Sequence, residues 1–484
     1  MRTKFGVKRA IAASLLTIVT VLSPIAVSAE SLGDAMASAY KTSGLLEQNR
    51  ANLRATDEGV AAAVAAMRPT FGYSANVEYS GAWGDVITRD RLGVPIGVEN
   101  KYQSSWSKTI QFTASMTLYT FGRNKLNIEA AKETVLATRA SLVGIELDVL
   151  SGAVTAYMNV RYNDAQANLR ANSVRLMQQN LRAAQDRFEV GEITRTEVSQ
   201  VEAQLASARA LLAAAQGQVS AAREIYKVAV GNYPSNLTSP PAVRYPAKSV
   251  EEAVKIATRS HPAIKALQHR IAALDLAVEI AERGLLPTVT ASASRTHTGD
   301  FDKNILRPKD YSESLGITAS GTIYAGGRLS SSIRTAMANR DAARASLHTT
   351  VRQIEQGVRT SWSMLSVFDA SSQASDASVK AQRVAYQGVK EEAELGASTT
   401  LDVLEAEQNL LDAQVSAIQA RIDREAGIYS VLYAMGLMTV DHLKLNVPVY
   451  DPAAYYNAVK SAPTRHISAE GAKLDRVLES LGRN

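Results

Sequence analysis

The stretch Leu118-Tyr-Thr-Phe-Gly-Arg123 occurs again 205 residues later as Ile323-Tyr-Ala-Gly-Gly-Arg328. In both copies, the residues before it alternate between apolar and polar, which predicts a β-strand. The residues after it carry a helical pattern, over 124–190 and 329–395. At 1.5 Å per residue such a helix is roughly 100 Å long, and no compact domain holds a rod of that length. The stretch therefore predicts two similar halves, each joining a strand to a very long helix.

A second match shows that the repetition extends across most of the chain. With an offset of 218 residues, the segment 31–69 aligns with the segment 249–287 without a gap. The two offsets differ by 13 residues, which places one extra piece of loop between Pro69 and Gly122. A duplicated chain of this length predicts one elongated, pseudo-symmetric architecture.

The repeats suggest boundaries along the chain. Each repeat is predicted to contain a helix, a β-hairpin (about 70–121 and about 288–326) and a long helical hairpin with its tip near residue 191 or 396. The opening helices, 32–68 and 250–286, are each followed by a proline, which a helix interior excludes. The predicted units are residues 1–29 (signal peptide), 30–230 (first repeat), 231–248 (proline-rich linker), 249–436 (second repeat) and 437–484 (C-terminal tail).

Four segments alternate with period two and have the 9 to 11 residues that cross a bilayer as tilted β-strands. A polar, glycine-bearing loop is predicted between the strands of each pair, over 81–105 and 296–311. Two half-buried hairpins packed on the helices are the alternative interpretation. The apolar positions of the four strands are Phe71, Tyr73, Ala75, Val77 and Tyr79; Ile110, Phe112, Ala114, Met116 and Leu118; Val289, Ala291 and Ala293; and Leu315, Ile317, Ala319 and Ile323.

The helical hairpins are predicted from a pause in the pattern at Gly191 and at Gly396. Helical pattern resumes over 195–230 and again up to residue 435, and in the first repeat its apolar residues keep a 3-4 spacing for four heptads. That spacing is typical of a coiled-coil seam. A chain that reverses direction favours a residue with a left-handed backbone, which glycine supplies.

The N-terminus and the composition limit the class of protein. Basic residues, an apolar run over 10–22 and the small residues Val27-Ser28-Ala29 predict a secretory signal peptide cleaved after Ala29. No later stretch approaches the ~20 apolar residues of a membrane-spanning helix. The net charge of +6 falls to +2 without residues 1–29, so it gives no support to a nucleic-acid partner. The chain has no cysteine, which excludes disulfides and cysteine-ligated metals.

Four strands are too few to close a barrel, since ~8 is the practical lower size. If these strands span a membrane, several chains must share one barrel. The duplicated plan, the two strand-to-helix joints and the hairpin tips, which run from Phe188 to Val198 and from Ala393 to Ala406, resemble the TolC family of outer-membrane efflux proteins.

The resemblance implies a mixed fold: a membrane β-barrel of 12 strands shared by a homotrimer, continued by a long α-helical coiled-coil barrel in the periplasm. It also implies a passive exit duct in the outer-membrane lipid, serving tripartite efflux or type I secretion. Its implied partners are a periplasmic adaptor (membrane fusion) protein and an inner-membrane pump or ABC transporter. No cofactor is implied.

The resemblance also supplies candidate gate residues at the periplasmic end. Matching along the second tip places the family's ring of acids at Asp402 and Glu405, and three chains would bring six such carboxylates around one axis. The alternative is an ordinary solvated face in the first turn of a helix. Glu197 and Arg195 take the equivalent places in the first repeat. Ala393 and Ser398 stand where the family has a tyrosine and an arginine that hold the closed state, so we expect a different closing link, with Arg195 as a candidate.

Gly191 and Gly396 are the predicted docking tips for the adaptor, besides being turn glycines. No metal site and no catalytic constellation is predicted: phosphate-loop, HExxH and GxSxG motifs are missing, and His261 and His269 are predicted to be capping and surface residues. Two other interpretations stay open, a periplasmic coiled-coil adaptor or scaffold without a barrel and an exported enzyme on a helical frame.

Overall fold

The structure is a computed structural model that describes residues 30–240, 247–300, 310–464 and 468–481. The predicted signal peptide lies outside the described residues, as do parts of the predicted linker and of the second predicted strand-connecting loop. The elements, in chain order, are α1 Leu32–Thr42, α2 Gly44–Ala65, β1 Thr70–Arg89, β2 Pro95–Tyr119, α3 Arg123–Glu189, α4 Arg195–Val230, α5 Val250–Ser260, α6 Pro262–Arg283, β3 Thr288–Asp300, β4 Asp310–Ser320, α7 Arg328–Glu394, α8 Thr400–Ala434, α9 Val440–Leu443, α10 Pro452–Val459 and α11 Ala469–Leu481.

The opening helix of each repeat is broken, where the sequence predicted one continuous helix. Ser43 is extended, and its side chain accepts a hydrogen bond from the Leu46 amide, so it starts α2 as an N-cap. His261 makes the second break because it precedes Pro262, whose ring disfavours a helical backbone in the residue before it. His261 itself accepts a hydrogen bond from the Ala263 amide and caps α6.

The four strands form one antiparallel sheet in the order β1-β2-β3-β4. The loop predicted over 81–105 is wrong, because β1 and β2 continue through it and turn only at residues 90–94. A Cβ on Gly81 would lie 2.0 Å from the Tyr102 hydroxyl oxygen, so glycine leaves room there for the Tyr102 ring. The Trp83 and Tyr102 rings pair with centroids 5.5 Å apart, so an aromatic contact stabilises the pairing of β1 with β2 beside Gly81 and Gly84.

The strand-to-helix joints owe their shape to two consecutive residues with positive φ. These are Phe121 (51°) and Gly122 (83°) in the first repeat, and Gly326 (58°) and Gly327 (85°) in the second. In both repeats the second residue of the pair, Gly122 or Gly327, is the N-cap of the long helix that follows. Each long helix, α3 and α7, has 67 residues, which corresponds to about 100 Å.

The main core lies around the middle of α3, where α1 and the C-terminal ends of α4 and α8 pack against it. Tyr157 is fully buried there, and its single hydroxyl hydrogen lies between two acceptors, the carbonyl oxygens of Glu30 (2.9 Å from the hydroxyl oxygen) and Thr238 (2.6 Å). The same helix contains an 18-residue window with mean hydropathy 1.3, apolar enough in length and composition to cross a membrane, although the sequence predicted no such segment after the signal peptide. Of that window, 44% is buried inside the structure.

The C-terminal segment crosses the outside of the first repeat. Its helix α10 packs on α2, and Arg68 donates hydrogen bonds to the Ala462 (2.6 Å) and Ser461 carbonyl oxygens just after α10. The Tyr455 hydroxyl donates to Glu58 on α2 at 2.8 Å. This segment therefore covers a face of the first repeat with aromatic side chains.

Candidate functional site

The candidate site is formed by the two hairpin tips and the helical turns beside them. Each tip ends its long helix with a glycine in the left-handed region, Gly191 at φ 79° and Gly396 at φ 77°. The Glu192 amide donates back to the Arg187 carbonyl (2.9 Å), and the Ala397 amide donates to that of Glu392 (2.8 Å). These bonds satisfy carbonyl groups that the helix leaves unpaired, so the two tips close in the same way.

The return helices start with reciprocal capping boxes. Thr194 accepts from the Glu197 amide while Glu197 accepts from the Thr194 amide, and Thr399 and Asp402 do the same. The Thr399 hydroxyl also donates to Asp402 at 2.6 Å. Hydrogen bonds from the Thr399 hydroxyl and backbone hold the pKa of Asp402 below its usual range. Both acids therefore stabilise helix starts in addition to any role at the gate.

One hydrogen bond joins the two tips. The Thr400 hydroxyl donates to Glu197 at 3.0 Å, and this contact is partly buried. The Thr194 amide and the Thr400 hydroxyl lower the pKa of Glu197 below its usual value, which favours the charged form of this acceptor.

A second link between the hairpins lies about two to three helical turns from the tips and was missed in the sequence. Glu407 on α8 is only 5% exposed and accepts a hydrogen bond from the Asn180 side-chain amide on α3 at 3.0 Å. Its other carboxylate oxygen has no hydrogen-bond partner among the described residues. Burial raises the pKa of Glu407 to about 7, against the lowering effects of Asn180 and Lys390. A signal was present, because Leu404, Glu407 and Leu411 have the 3-4 spacing of a helix seam.

The predicted gate residues lie near one another but not in one cluster. Asp402 and Glu405 are both exposed on the first turns of α8, and Glu197 makes the contact with Thr400 described above. Arg195 is exposed, and within the described ranges its guanidinium group makes no hydrogen bond or ion pair. The link seen between the tips therefore comes from Glu197 and Thr400. Among the described residues, no group of three or more His, Asp or Glu side chains is arranged to hold a metal ion.

Comparison with known proteins assigns the chain to a family. The sequence profile of the outer membrane efflux protein family matches residues 37–232 and 253–429, which include both long hairpins and their tips. The chain belongs to this family. The resemblance to TolC-like proteins that the repeats and joints indicated is thereby confirmed.

This efflux protein is 34% identical over 461 residues to the outer membrane efflux protein BepC of Brucella suis, a match that covers 94% of this chain and 95% of BepC. It is 23% identical over 369 residues to the alkaline protease secretion protein AprF of Pseudomonas aeruginosa, covering 74% of each. Among solved structures, the CmeC outer membrane channel of Campylobacter jejuni superposes with a TM-score of 0.72 at 15% identity, over 96% of this chain and 99% of CmeC.

These relatives place the efflux protein in the bacterial outer membrane, from which it extends into the periplasm. Its fold is that of TolC-like outer-membrane channels, mostly helical with a small antiparallel sheet. The members it resembles are channel proteins. The hairpin tips are therefore candidates for the periplasmic end of a channel.

Proposed function

We propose that three copies of this chain form one outer-membrane duct, with a 12-stranded barrel made from their sheets and a periplasmic tunnel made from their helices. The observation that carries the proposal is the sheet itself. In the described part of the chain it has four strands, and it exposes large apolar side chains, including Phe71, Tyr73, Leu315 and Ile317. A water-exposed sheet does not tolerate such a face, whereas a barrel in lipid requires one.

The chain is an exit duct for efflux and secretion, the activities of its family and relatives. We propose that it is passive and that partner proteins open its periplasmic end. The partners proposed are a periplasmic adaptor and an inner-membrane pump or ABC transporter, which together would make a tripartite efflux pump or a type I secretion system. The pump that it meets decides whether drugs, polysaccharides or proteins pass through it.

The state of the detergent-extracted protein tests the shared barrel. We expect outer-membrane fractions to contain a trimer that resists SDS at room temperature and migrates as a monomer after boiling. A water-soluble monomer, extracted without detergent from the periplasm, would contradict the duct and favour the adaptor or scaffold alternative.

We propose that Asp402 and Glu405 of three copies line the constriction, with Glu197 and Arg195 beside them in the first repeat. Six carboxylates on one axis attract cations and repel anions. The charge of Asp402 fits this role, because its pKa is held low. The bond between Glu197 and Thr400 then holds the tips together in the closed state.

Conductance in planar bilayers tests the ring. The double variant Asp402→Asn, Glu405→Gln keeps side-chain volume and hydrogen-bonding groups, and we expect it to lose block by multivalent cations. Glu192→Gln, which neutralises an exposed acid in the loop of the first tip, is the control and should keep the block. Unchanged block in the double variant would remove both acids from the constriction.

We propose that the grooves around Gly191 and Gly396 dock the adaptor. No atom lies within 4 Å of a Cβ built on either glycine, so a new side chain there projects outward. Asparagine tolerates the left-handed backbone, whereas a bulky residue also fills the groove. Gly396→Trp should abolish efflux with trimer and barrel intact, while Gly396→Asn retains it; full efflux in the tryptophan variant would exclude docking at this tip.

A further inference from the structure

The outer edges of β1 and β4 have no strand beside them in the described part of the chain, because the sheet order is β1-β2-β3-β4. Exposed strand edges carry unpaired backbone groups that bind another strand. The sequence repeats indicate which strand would pair with these edges, because each residue of the first hairpin has a counterpart in the second.

The two hairpins have the same register once the repeat offsets are applied. Thr70 lies opposite Ser115 in the first hairpin, and Thr288 lies opposite Ser320 in the second. Thr288 is Thr70 moved by 218 residues, and Ser320 is Ser115 moved by 205 residues. Residues that correspond in the two sequence repeats therefore also occupy corresponding positions in the strand pairing.

The pairing of β2 with β3 joins the two repeats inside one chain and serves as a template for β4 with β1. In it, Ser115 lies opposite Ser292. The same offsets convert Ser115 into Ser320 on β4 and Ser292 into Ser74 on β1.

This register also matches the faces of the strands. It sets Ile317 opposite Val77 and Ala319 opposite Ala75, so apolar side chains share one face. A shift by one residue would place them on opposite faces.

A side-chain contact between the two repeats serves as a second template for the pairing of β4 with β1. Arg123, at the start of α3, donates to the Thr288 hydroxyl at 3.0 Å and so ties the first repeat to the second. Its counterpart Arg328 starts α7 and is exposed, and its guanidinium group makes no hydrogen bond or ion pair to the described residues, while its backbone amide donates to the Ala325 carbonyl oxygen. The offsets convert Thr288 into Thr70.

The joint around Arg328 is also less covered than the joint around Arg123. Tyr324 is 85% exposed, whereas its counterpart Tyr119 is 55% exposed. A Cβ on Gly122 would meet the Arg283 guanidinium of α6 at 2.2 Å, but nothing lies within 4 Å of one on Gly327. Within the described part of the chain, the second joint thus lacks the neighbour that the first joint has.

We propose that β4 of one copy pairs with β1 of the next copy in the register that sets Ser320 opposite Ser74, and that Arg328 of the first copy donates to Thr70 of the next. This inference rests on the proposed shared barrel and adds its residue-level seam. The occupant of the free edges is a second copy of this chain.

Cysteine pairs test the register on a background that has no cysteine. The double variant Ser74→Cys, Ser320→Cys should give a covalent trimer on non-reducing gels of oxidised outer membranes, which separates into monomers on reduction. Directly opposite residues in a ladder are within disulfide distance, whereas diagonal ones are about 7–8 Å apart and are not. The matched off-register pairs Ser74→Cys, Thr318→Cys and Asn76→Cys, Ser320→Cys should therefore give several-fold less covalent trimer.

The outcomes separate the seam from the duct. A native trimer whose strongest cross-link is an off-register pair overturns the register and leaves the shared barrel standing. A protein that is monomeric in detergent overturns both. A disulfide within one chain, across a sheet about 14 Å wide, would mean that the sheet closes on itself and would also overturn the seam.

A double-mutant cycle tests the arginine independently of cysteine chemistry. Arg328→Gln and Thr70→Val should each lower the temperature at which the trimer dissociates in SDS, and the combination should lower it by no more than the larger single effect. Fully additive effects would show that the two residues do not touch.

Discussion

At the scale of single residues, two buried carboxyl groups stand out, Asp57 and Glu407. Asp57 on α2 is fully buried, no described residue donates a hydrogen bond to its carboxylate, and the Arg139 guanidinium approaches it at 3.9 Å. The ring of Tyr456 from the C-terminal segment lies 5.0 Å from that guanidinium. Burial raises the pKa of Asp57 to about 6, against the lowering effect of Arg139. The second repeat has the same pair, Asp275 and Arg344, at 2.9 Å in an exposed position.

We expect Arg139→Ala to destabilise the protein by about 3 kcal/mol, because it leaves a buried carboxylate without its cation. The matched variant Arg344→Ala removes an exposed partner and should cost about 0–1 kcal/mol. Thermal loss of the helical circular dichroism signal in detergent measures both. Equal effects at the two positions would show that burial by the C-terminal segment does not distinguish them.

Glu407 should make stability depend on pH. With a folded pKa of about 7, raised above the ordinary value of 4.5, the folded state holds a proton that the unfolded state releases. The contribution is therefore full below about pH 4.5 and is lost as the pH rises to about 7. Glu407→Gln should raise stability at pH 7.5 by roughly 1–3 kcal/mol and change it little at pH 4.5.

Glu405→Gln is the control for this prediction, because Glu405 is exposed two residues away on the same helix. Thermal midpoints at pH 4.5 and 7.5 are compared for the two variants. A pH-independent effect of Glu407→Gln would mean that the pKa of Glu407 is the same in the folded and the unfolded state.

At the scale of elements, the glycines and prolines that end helices made much of the fold predictable. The left-handed glycines at 191 and 396, and the prolines before β1 and β3, have strong local preferences that packing does not override. The breaks at Ser43 and His261 were overlooked although their signals are local, a capping serine and a residue before proline.

The extension of β1 and β2 was not predictable in this way. The segment that contains Gly81 and Gly84 has the composition of a loop. The sequence does not show that Trp83 on β1 packs against Tyr102 on β2, because that contact depends on the pairing of the two strands. The acids of the candidate site were found from the tip sequence, but the contact of Glu197 with Thr400 depends on how two distant hairpins approach each other.

The capping boxes predict local rather than global effects. Thr399→Ala removes the acceptor for the Asp402 amide, which should cost about 1 kcal/mol and increase hydrogen exchange over residues 399–404. Thr349→Ala is the control, since Thr349 lies inside α7 and its hydroxyl bonds only the Ala345 carbonyl one turn earlier. Unchanged exchange at the tip would mean that neighbouring contacts, and not the cap, hold the start of α8.

At the scale of the whole molecule, two hairpins with long helices of equal length lie side by side. The 67 residues of α3 and of α7 bring both tips to the same level, where Thr400 meets Glu197. Arg223 and Asp164 pair across the first hairpin at 3.4 Å, which shows which segments of α3 and α4 face each other.

Deletion of one heptad from both helices of the first hairpin, residues 165–171 and 216–222, shortens it by about 10 Å. We expect this variant to keep its trimer and barrel but to lose efflux, because its tips no longer reach the tips of the second hairpin. Deletion of the equivalent residues 370–376 and 421–427 as well should restore much of the activity. Dye-efflux rates measure the outcome, and equal activity in the two variants would show that level tips are not required.

The equal helix lengths also constrain how such a molecule changes its reach across the space between two membranes. An insertion in one of the long helices would make one hairpin longer than the other, so the two tips would no longer lie at the same level. The helical hairpins of both repeats have to lengthen or shorten by the same number of residues. The duplication that built the chain therefore also restricts how the length of the whole molecule can change.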